Sequence, residues 1–186
     1  MAQRSPETLY RLDYEAPQFK VESIELTFEL DPKESIVKSR FRLTREPWSE
    51  ASDFLLHGSQ SLTLLSLKVD GKPLTKEEIY FEGSHIRLKN LGEENLIEIE
   101  NSISPIQNSE LAGLFITDGF FCSDCEPQGF RHITYFADRP DVMTTYRVKL
   151  IADQKYPVLL SNGNLLEEGQ LEDNRHYALW EDPFPK

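Results

Sequence analysis

Hydrophobic and polar residues alternate with a period of two along much of this chain. In the stretches IELTFEL and VKSRFRLT the apolar side chains fall on one face, and the segment DPKES lies between the two stretches. The apolar positions are Ile24, Leu26, Phe28, Leu30, Val37, Phe41 and Leu43. Because successive side chains of a strand point to opposite faces, two such stretches around a proline-containing turn predict an antiparallel hairpin.

Glycine-containing pairs mark further reversals of the chain. The sites are Asp70-Gly71 after LTLLSLKV, Gly83-Ser84 within IYFEGSHIRLKNLG, and Asn162-Gly163 between two apolar runs. An Asp-Gly or Asn-Gly pair next to alternating apolar residues is typical of a tight turn. The second of these stretches predicts another hairpin.

Two more stretches read as strands, and helical patterns are scarce. NLIEIENSI alternates, and TYRVKLIAD places Tyr146, Val148 and Leu150 on one side. No amphipathic pattern extends beyond about two helical turns, although Pro140 in DRPDVM would suit the start of a short helix. Many short strands predict an all-β fold of antiparallel strands in several sheets, a β-sandwich. At this length, residues 1–186 are expected to form one domain.

Composition and charge indicate which kinds of partner and which cellular compartment suit this chain. The 186 residues carry a formal net charge of −12, which repels phosphate backbones and argues against a nucleic-acid partner. The N-terminal residues contain no apolar core of a secretory signal, and no run approaches the roughly 18 apolar residues of a membrane span. Two cysteines are too few for a disulfide scaffold. The sequence therefore predicts a protein of the reducing cytosol that does not bind membranes.

The stretch FCSDCEPQGFRHITYFADRPDV contains both cysteines and offers two kinds of chemistry. Cys122 and Cys125 form a C-x-x-C pair, which occurs in zinc and redox sites, and His132 would supply a third ligand. A fourth zinc ligand is not apparent, and no βαβ context for a redox pair is present. Two semi-buried cysteines that pack against the interior are the simpler interpretation.

The same stretch carries two carboxylates close together. If the segment is extended, Asp124 and Glu126 share a face, and Pro127 favours an extended backbone at Glu126. A solvated acidic edge, acid–base machinery and an anchor for a cationic group all remain open for this pair. For Arg131, Arg139 and Asp141, which flank it, ion pairing that fixes the loop is expected.

Several stretches together resemble the N-terminal domain of the bacterial aminopeptidase N family. Members of this family are zinc-dependent alanyl aminopeptidases of the gluzincin class. The resemblance runs from about Tyr10 to Lys186 and rests on YRLDYEAPQFKVESIELTFELDP, CSDCEPQGFRHITYFADRPDV, YPVLLSNGN and RHYALWEDPFPK. It implies an all-β saddle of packed sheets that caps a catalytic domain of the same polypeptide. In such enzymes that following domain carries the H-E-x-x-H zinc helix. This chain contains no H-E-x-x-H, so we expect it to hold no catalytic residue and no metal, and to be inactive alone.

The resemblance also implies roles for the two carboxylates. A glutamate of the family that binds the free α-amino group of a peptide substrate corresponds to Glu126, and a family glutamine corresponds to Asp124. An ionised aspartate only accepts hydrogen bonds, so Asp124 would either add a second anion for the ammonium or turn away. Relatives have a cis peptide after the glutamate, so the Glu126–Pro127 bond is expected to be cis. A free-standing β-sandwich that binds a partner without catalysis is the alternative.

Overall fold

The structure, a computed structural model, describes residues 10–186, and the regular secondary structure of this part of the chain is almost entirely β-strand. The strands of the described residues are β1 (Phe19–Glu29), β2 (Ser35–Arg45), β3 (Phe54–Leu56), β4 (Thr63–Val69), β5 (Lys72–Pro73), β6 (Tyr80–Glu82), β7 (His85–Leu88), β8 (Glu94–Ile103), β9 (Gly113–Thr117), β10 (Phe120–Asp124), β11 (Thr145–Asp153), β12 (Asn164–Gln170) and β13 (Arg175–Asp182). Short 3-10 helices span Arg11–Asp13, Pro105–Gln107 and Phe130–His132. No helix in the described residues is long and apolar enough to cross a bilayer. The predicted all-β fold is confirmed.

The hairpin predicted from the first alternating stretches is β1–β2. The two strands pair antiparallel, with Ile24 opposite Phe41 and Leu26 opposite Ser39. The predicted apolar face is the buried one, as Ile24 and Phe41 are almost fully shielded from solvent. The register shifts between Val21 and Ile24, and this bulge keeps apolar side chains on the inner face on both sides of it.

The strands form one large sheet and two small ones. The large sheet has eight strands in the order β12-β13-β11-β1-β2-β8-β4-β5, and the small sheets are β3-β7-β6 and β9-β10. One pair departs from the antiparallel prediction, because β1 and β11 run parallel, with Ser23 opposite Thr145. Residues 104–144 separate β8 from β11 and carry the chain across before it re-enters the sheet beside β1. A long crossover of this kind permits the parallel pairing that a tight hairpin forbids.

Two of the predicted reversals are tight hairpin turns. Asp70 and Gly71 join β4 to β5 with φ values of 53° and 76°, the left-handed pair that an Asp-Gly turn supplies. Gly83, with φ of 62°, joins β6 to β7. At Asn162-Gly163 the chain enters β12, whereas the apolar run before it forms no strand.

The short helix predicted at DRPDVM is absent, and this prediction was wrong. A single turn forms instead, closed by a hydrogen bond from the Val142 N–H to the Arg139 carbonyl at 3.2 Å. The Arg139 guanidinium donates to Asp141 and to the Glu15 carbonyl, which holds the backbone in this turn. The chain then extends into β11, so no second helical turn follows.

The core lies between the inner face of the large sheet and a cover made of the β3-β7-β6 sheet and the segment 129–142. Buried polar side chains attach this cover to the sheet. The Asn101 amide of β8 donates to the Ile133 carbonyl at 2.9 Å, and the Thr134 hydroxyl donates to Asn101 Oδ1 at 2.8 Å. The Ser39 hydroxyl lies 3.2 Å from the Thr134 hydroxyl. All four polar groups are therefore paired away from water, which fixes the position of the segment that follows the CEPQG stretch.

Candidate functional site

The two candidate carboxylates lie at the end of the β9–β10 hairpin. Its turn is formed by Asp118 and Gly119, with φ values of 49° and 82°. The pairing ends with Asp124 opposite Gly113. A Cβ built on Gly113 would come within 2.7 Å of the His132 Cβ, so the hairpin backbone lies directly against the 3-10 helix Phe130–His132. This close packing gives the end of β10 a rigid support.

Glu126 lies in a turn immediately after β10. The Gly129 N–H donates to the Cys125 carbonyl at 3.0 Å, and Gln128 has φ of 66°. The prediction that an extended strand places Glu126 on the same face as Asp124 was wrong, because the strand ends at Asp124 and Glu126 lies in a turn. The prediction of a cis bond before Pro127 was also wrong, since the described residues contain no cis peptide. The left-handed backbone of Gln128 supports the reversal at that point.

The structure connects the Asp124 carboxylate to the backbone of Glu126. Asp124 Oδ1 accepts a hydrogen bond from the Glu126 backbone N–H at 3.0 Å, and both residues are exposed. Within residues 10–186 the Glu126 carboxylate takes part in no ion pair. The Glu126 carboxylate is therefore accessible to a cationic group. One carboxylate oxygen of Asp124, in contrast, already accepts a backbone hydrogen bond.

The cysteines do not form a metal or redox pair in this geometry. Cys125 packs against the core, and burial raises the pKa of its thiol to about 11. Zinc binding and disulfide exchange both require the thiolate, which this environment disfavours. Across the described part of the chain, no group of three or more His, Cys, Asp or Glu side chains is arranged to hold a metal ion. Among residues 10–186, the arrangement of Cys122, Cys125 and His132 therefore gives no support to the zinc interpretation.

Arginines fix the segment after the turn, as predicted. The Arg139 guanidinium binds both carboxylate oxygens of Asp141 at 2.9 and 2.7 Å, and its hydrogen bonds hold the pKa of Asp141 below its usual value. Arg131 binds Asp138 through its side chain at 2.7 Å and through its backbone N–H at 3.1 Å. The sequence pattern had no signal for Asp138 as the partner of Arg131, because the contact depends on how the loop folds back.

The Glu126 turn borders a large open groove of about 1450 Å³. Apolar side chains of β1 and β11 contribute to its lining, and so do residues of the β10 end and of the segment 155–162. These β-strand residues are Leu26, Phe28, Tyr146, Val148 and Leu150. Burial raises the pKa of Tyr146 to about 12. Lys155 also lines the groove, and no sequence pattern had indicated it.

Comparison with known proteins assigns the chain to a family. The model of the Peptidase M1 N-terminal domain matches residues 14–186. Aminopeptidase N of Escherichia coli is 42% identical over 186 residues, covering 98% of this chain and 21% of that protein. Aminopeptidase N of Haemophilus influenzae is 42% identical over 179 residues, covering 95% of this chain and 20% of that protein. The chain thus spans about one fifth of the length of these relatives.

Solved structures agree in fold. Aminopeptidase A of Legionella pneumophila, solved in complex with aspartic acid, superposes with a TM-score of 0.87 at 32% identity, over 94% of this chain and 21% of that one. An M1 zinc metallopeptidase from Deinococcus radiodurans superposes with a TM-score of 0.75 at 12% identity, over 90% of this chain and 40% of that one, and shows the shared fold alone. The family match over nearly the whole chain and the identity to its relatives establish that this chain belongs to the Peptidase M1 N-terminal domain family.

Proposed function

We propose that this chain is the N-terminal domain of a cytosolic zinc metallo-aminopeptidase, in which Glu126 anchors the α-ammonium group of a peptide substrate. The observation that carries the proposal is the exposed Glu126 carboxylate, held in a closed turn at the border of a large groove. The zinc would be bound by a catalytic domain of the same polypeptide, where it would activate the hydrolytic water. The residues of this chain would contribute substrate binding and no catalytic group.

The chemistry of a peptide terminus explains why a carboxylate suits this role. A free α-amine has a pKa of about 7.7–8.0 and is mostly charged at neutral pH, whereas an internal peptide nitrogen carries no charge. A carboxylate at a fixed place therefore selects chain ends and determines how far the first peptide bond lies from the metal. Leaving such a desolvated ammonium unpaired costs about 2–5 kcal/mol.

Exposed apolar side chains at the groove support a catalytic domain as its partner. Phe120, Val158 and Leu160 line the groove and are 68%, 68% and 71% exposed. Clustered exposure of large apolar side chains marks an interaction surface. A free-standing binding module is the less favoured alternative, because the matched relatives carry this domain within chains about five times longer.

The proposal is tested in the full-length polypeptide with Glu126→Ala and Glu126→Gln, using aminoacyl anilides as substrates. We expect kcat/KM to fall by roughly 30-fold to several thousand-fold, which corresponds to the loss of about 2–5 kcal/mol. Glu77→Ala, at an exposed glutamate that does not line the groove, is the matched control and is expected to leave kcat/KM unchanged. Activity of both Glu126 variants within a few-fold of the wild-type value would refute the anchoring role.

A further inference from the structure

The Asp124 carboxylate is hydrogen-bonded to the backbone N–H of Glu126, whereas the Glu126 carboxylate is exposed. Asp124 Oδ1 accepts the N–H of the residue two positions ahead, at 3.0 Å. This i to i+2 contact is an Asx turn, in which a short side chain takes the place of a backbone carbonyl. The Asp124 side chain is therefore directed back over its own turn.

The groups on both sides of this contact are well anchored. Asp124 is the last paired residue of β10, opposite Gly113, and Cys125 packs against the core. After Glu126, the Gly129 N–H bonds to the Cys125 carbonyl and closes the turn. The Asp124 contact therefore fixes the Glu126 peptide N–H between these two anchors, and the orientation of that peptide sets the direction in which the Glu126 side chain leaves the backbone.

The length of the side chain at position 124 decides whether this contact can form. Aspartate and asparagine close Asx turns, whereas glutamine is one methylene longer and is not among the residues that do so. A glutamine at this position would thus be free to extend outward, whereas the Asp124 carboxylate accepts a hydrogen bond from the Glu126 backbone N–H. We propose that Asp124 is a positioning residue for Glu126 and does not itself bind the substrate ammonium, an inference that rests on the anchoring role proposed for Glu126.

The experiment compares Asp124→Asn, Asp124→Ala and Asp124→Gln in the full-length enzyme, with KM and kcat measured separately. Asparagine keeps the acceptor oxygen and removes the charge, so we expect KM within about twofold of the wild-type value. Alanine and glutamine lose the turn contact, and KM is expected to rise by about 3- to 10-fold with kcat nearly unchanged, as for a capping bond that orients a binding group. Asp31→Ala is the matched control, because Asp31 makes the same contact to the Lys33 N–H at 2.8 Å in the β1–β2 turn.

The outcomes separate this inference from the proposed function. If Asp124→Asn raises KM as much as Asp124→Ala while Glu126→Ala remains strongly impaired, the charge of Asp124 acts on the substrate and the positioning role is overturned. If Glu126→Ala is active, the anchoring role fails instead. Hydrogen exchange at the Glu126 amide then decides the structural part: slow exchange in the wild type and Asp124→Asn, with faster exchange in Asp124→Ala, supports the turn contact, and equal exchange in all three refutes it.

Discussion

Gly129 donates its backbone N–H to the Cys125 carbonyl at 3.0 Å, and a Cβ added to Gly129 would lie 2.5 Å from the Cys125 Cα. The turn that carries Glu126 therefore closes only around a residue without a side chain. Because the obstacle is backbone, no rotamer change can relieve it. The geometry of the candidate site depends on this close approach.

We expect Gly129→Ala to lower the free energy of unfolding by about 1–3 kcal/mol, the usual cost of overpacking. Gly92→Ala is the matched control, since its Cβ would meet no atom closer than 3.7 Å. Urea denaturation of both variants tests this, with a change below about 0.5 kcal/mol expected for the control. Equal stability of the two variants would show that the turn can shift without cost.

The buried hydrogen-bond network of Ser39, Asn101 and Thr134 predicts that removing the Thr134 hydroxyl destabilises the fold. Thr134→Val keeps the shape of the side chain but removes the donor to Asn101 Oδ1, leaving a buried acceptor unpaired. The free energy of unfolding should fall by about 1–3 kcal/mol. Thr63→Val, at an exposed position of β4, should change it by less than about 0.5 kcal/mol in the same denaturation experiment. A Thr134→Val protein as stable as the wild type would mean that water or a rearrangement satisfies Asn101.

His57 predicts a dependence of stability on pH. Burial lowers the pKa of His57 in the folded protein, and the nearby charges of Arg131 and His85 act in the same direction. The unfolded chain, with a histidine pKa of about 6.5, then binds the proton more readily than the folded one. The contribution of neutral His57 is complete above about pH 6.5 and is lost as the pH falls towards the folded-state pKa.

Denaturation midpoints measured between pH 7.5 and 5 should therefore decline more steeply for the wild type than for His57→Gln. Titration of the His57 ring by NMR provides the independent check. A His57 pKa at or above the value of an unfolded chain would contradict the prediction.

Burial of Cys125 predicts that its thiol reacts slowly. With a pKa of about 11, its thiolate fraction near pH 8 should be on the order of 100-fold below that of an unperturbed cysteine. Alkylation by iodoacetamide, measured in a Cys122→Ser background, should be slower by at least this factor than alkylation of the unfolded chain. Rapid alkylation or stoichiometric zinc bound by Cys125 would restore the metal or redox interpretation of the C-x-x-C pair.

Much of the fold followed from local patterns. The β1–β2 and β6–β7 hairpins and the Asp70-Gly71 turn were predicted because alternation and turn chemistry are properties of neighbouring residues. The parallel pairing of β1 with β11 was not predicted, since it joins strands more than 100 residues apart. The helix expected at Pro140 failed because the contacts of Arg139 outweigh a weak local preference.

For the candidate site, the sequence by itself determined the residue types: a glutamate before a proline, an aspartate two residues earlier, and flanking arginines. The tertiary structure alone decided how they are arranged. The packing of Gly113 and Gly129 against neighbouring backbone ends the strand at Asp124 and closes the turn, and that turn directs the Asp124 carboxylate onto the Glu126 N–H. Side-chain alternation describes an extended chain, and it loses its meaning where close backbone contacts turn the chain back on itself.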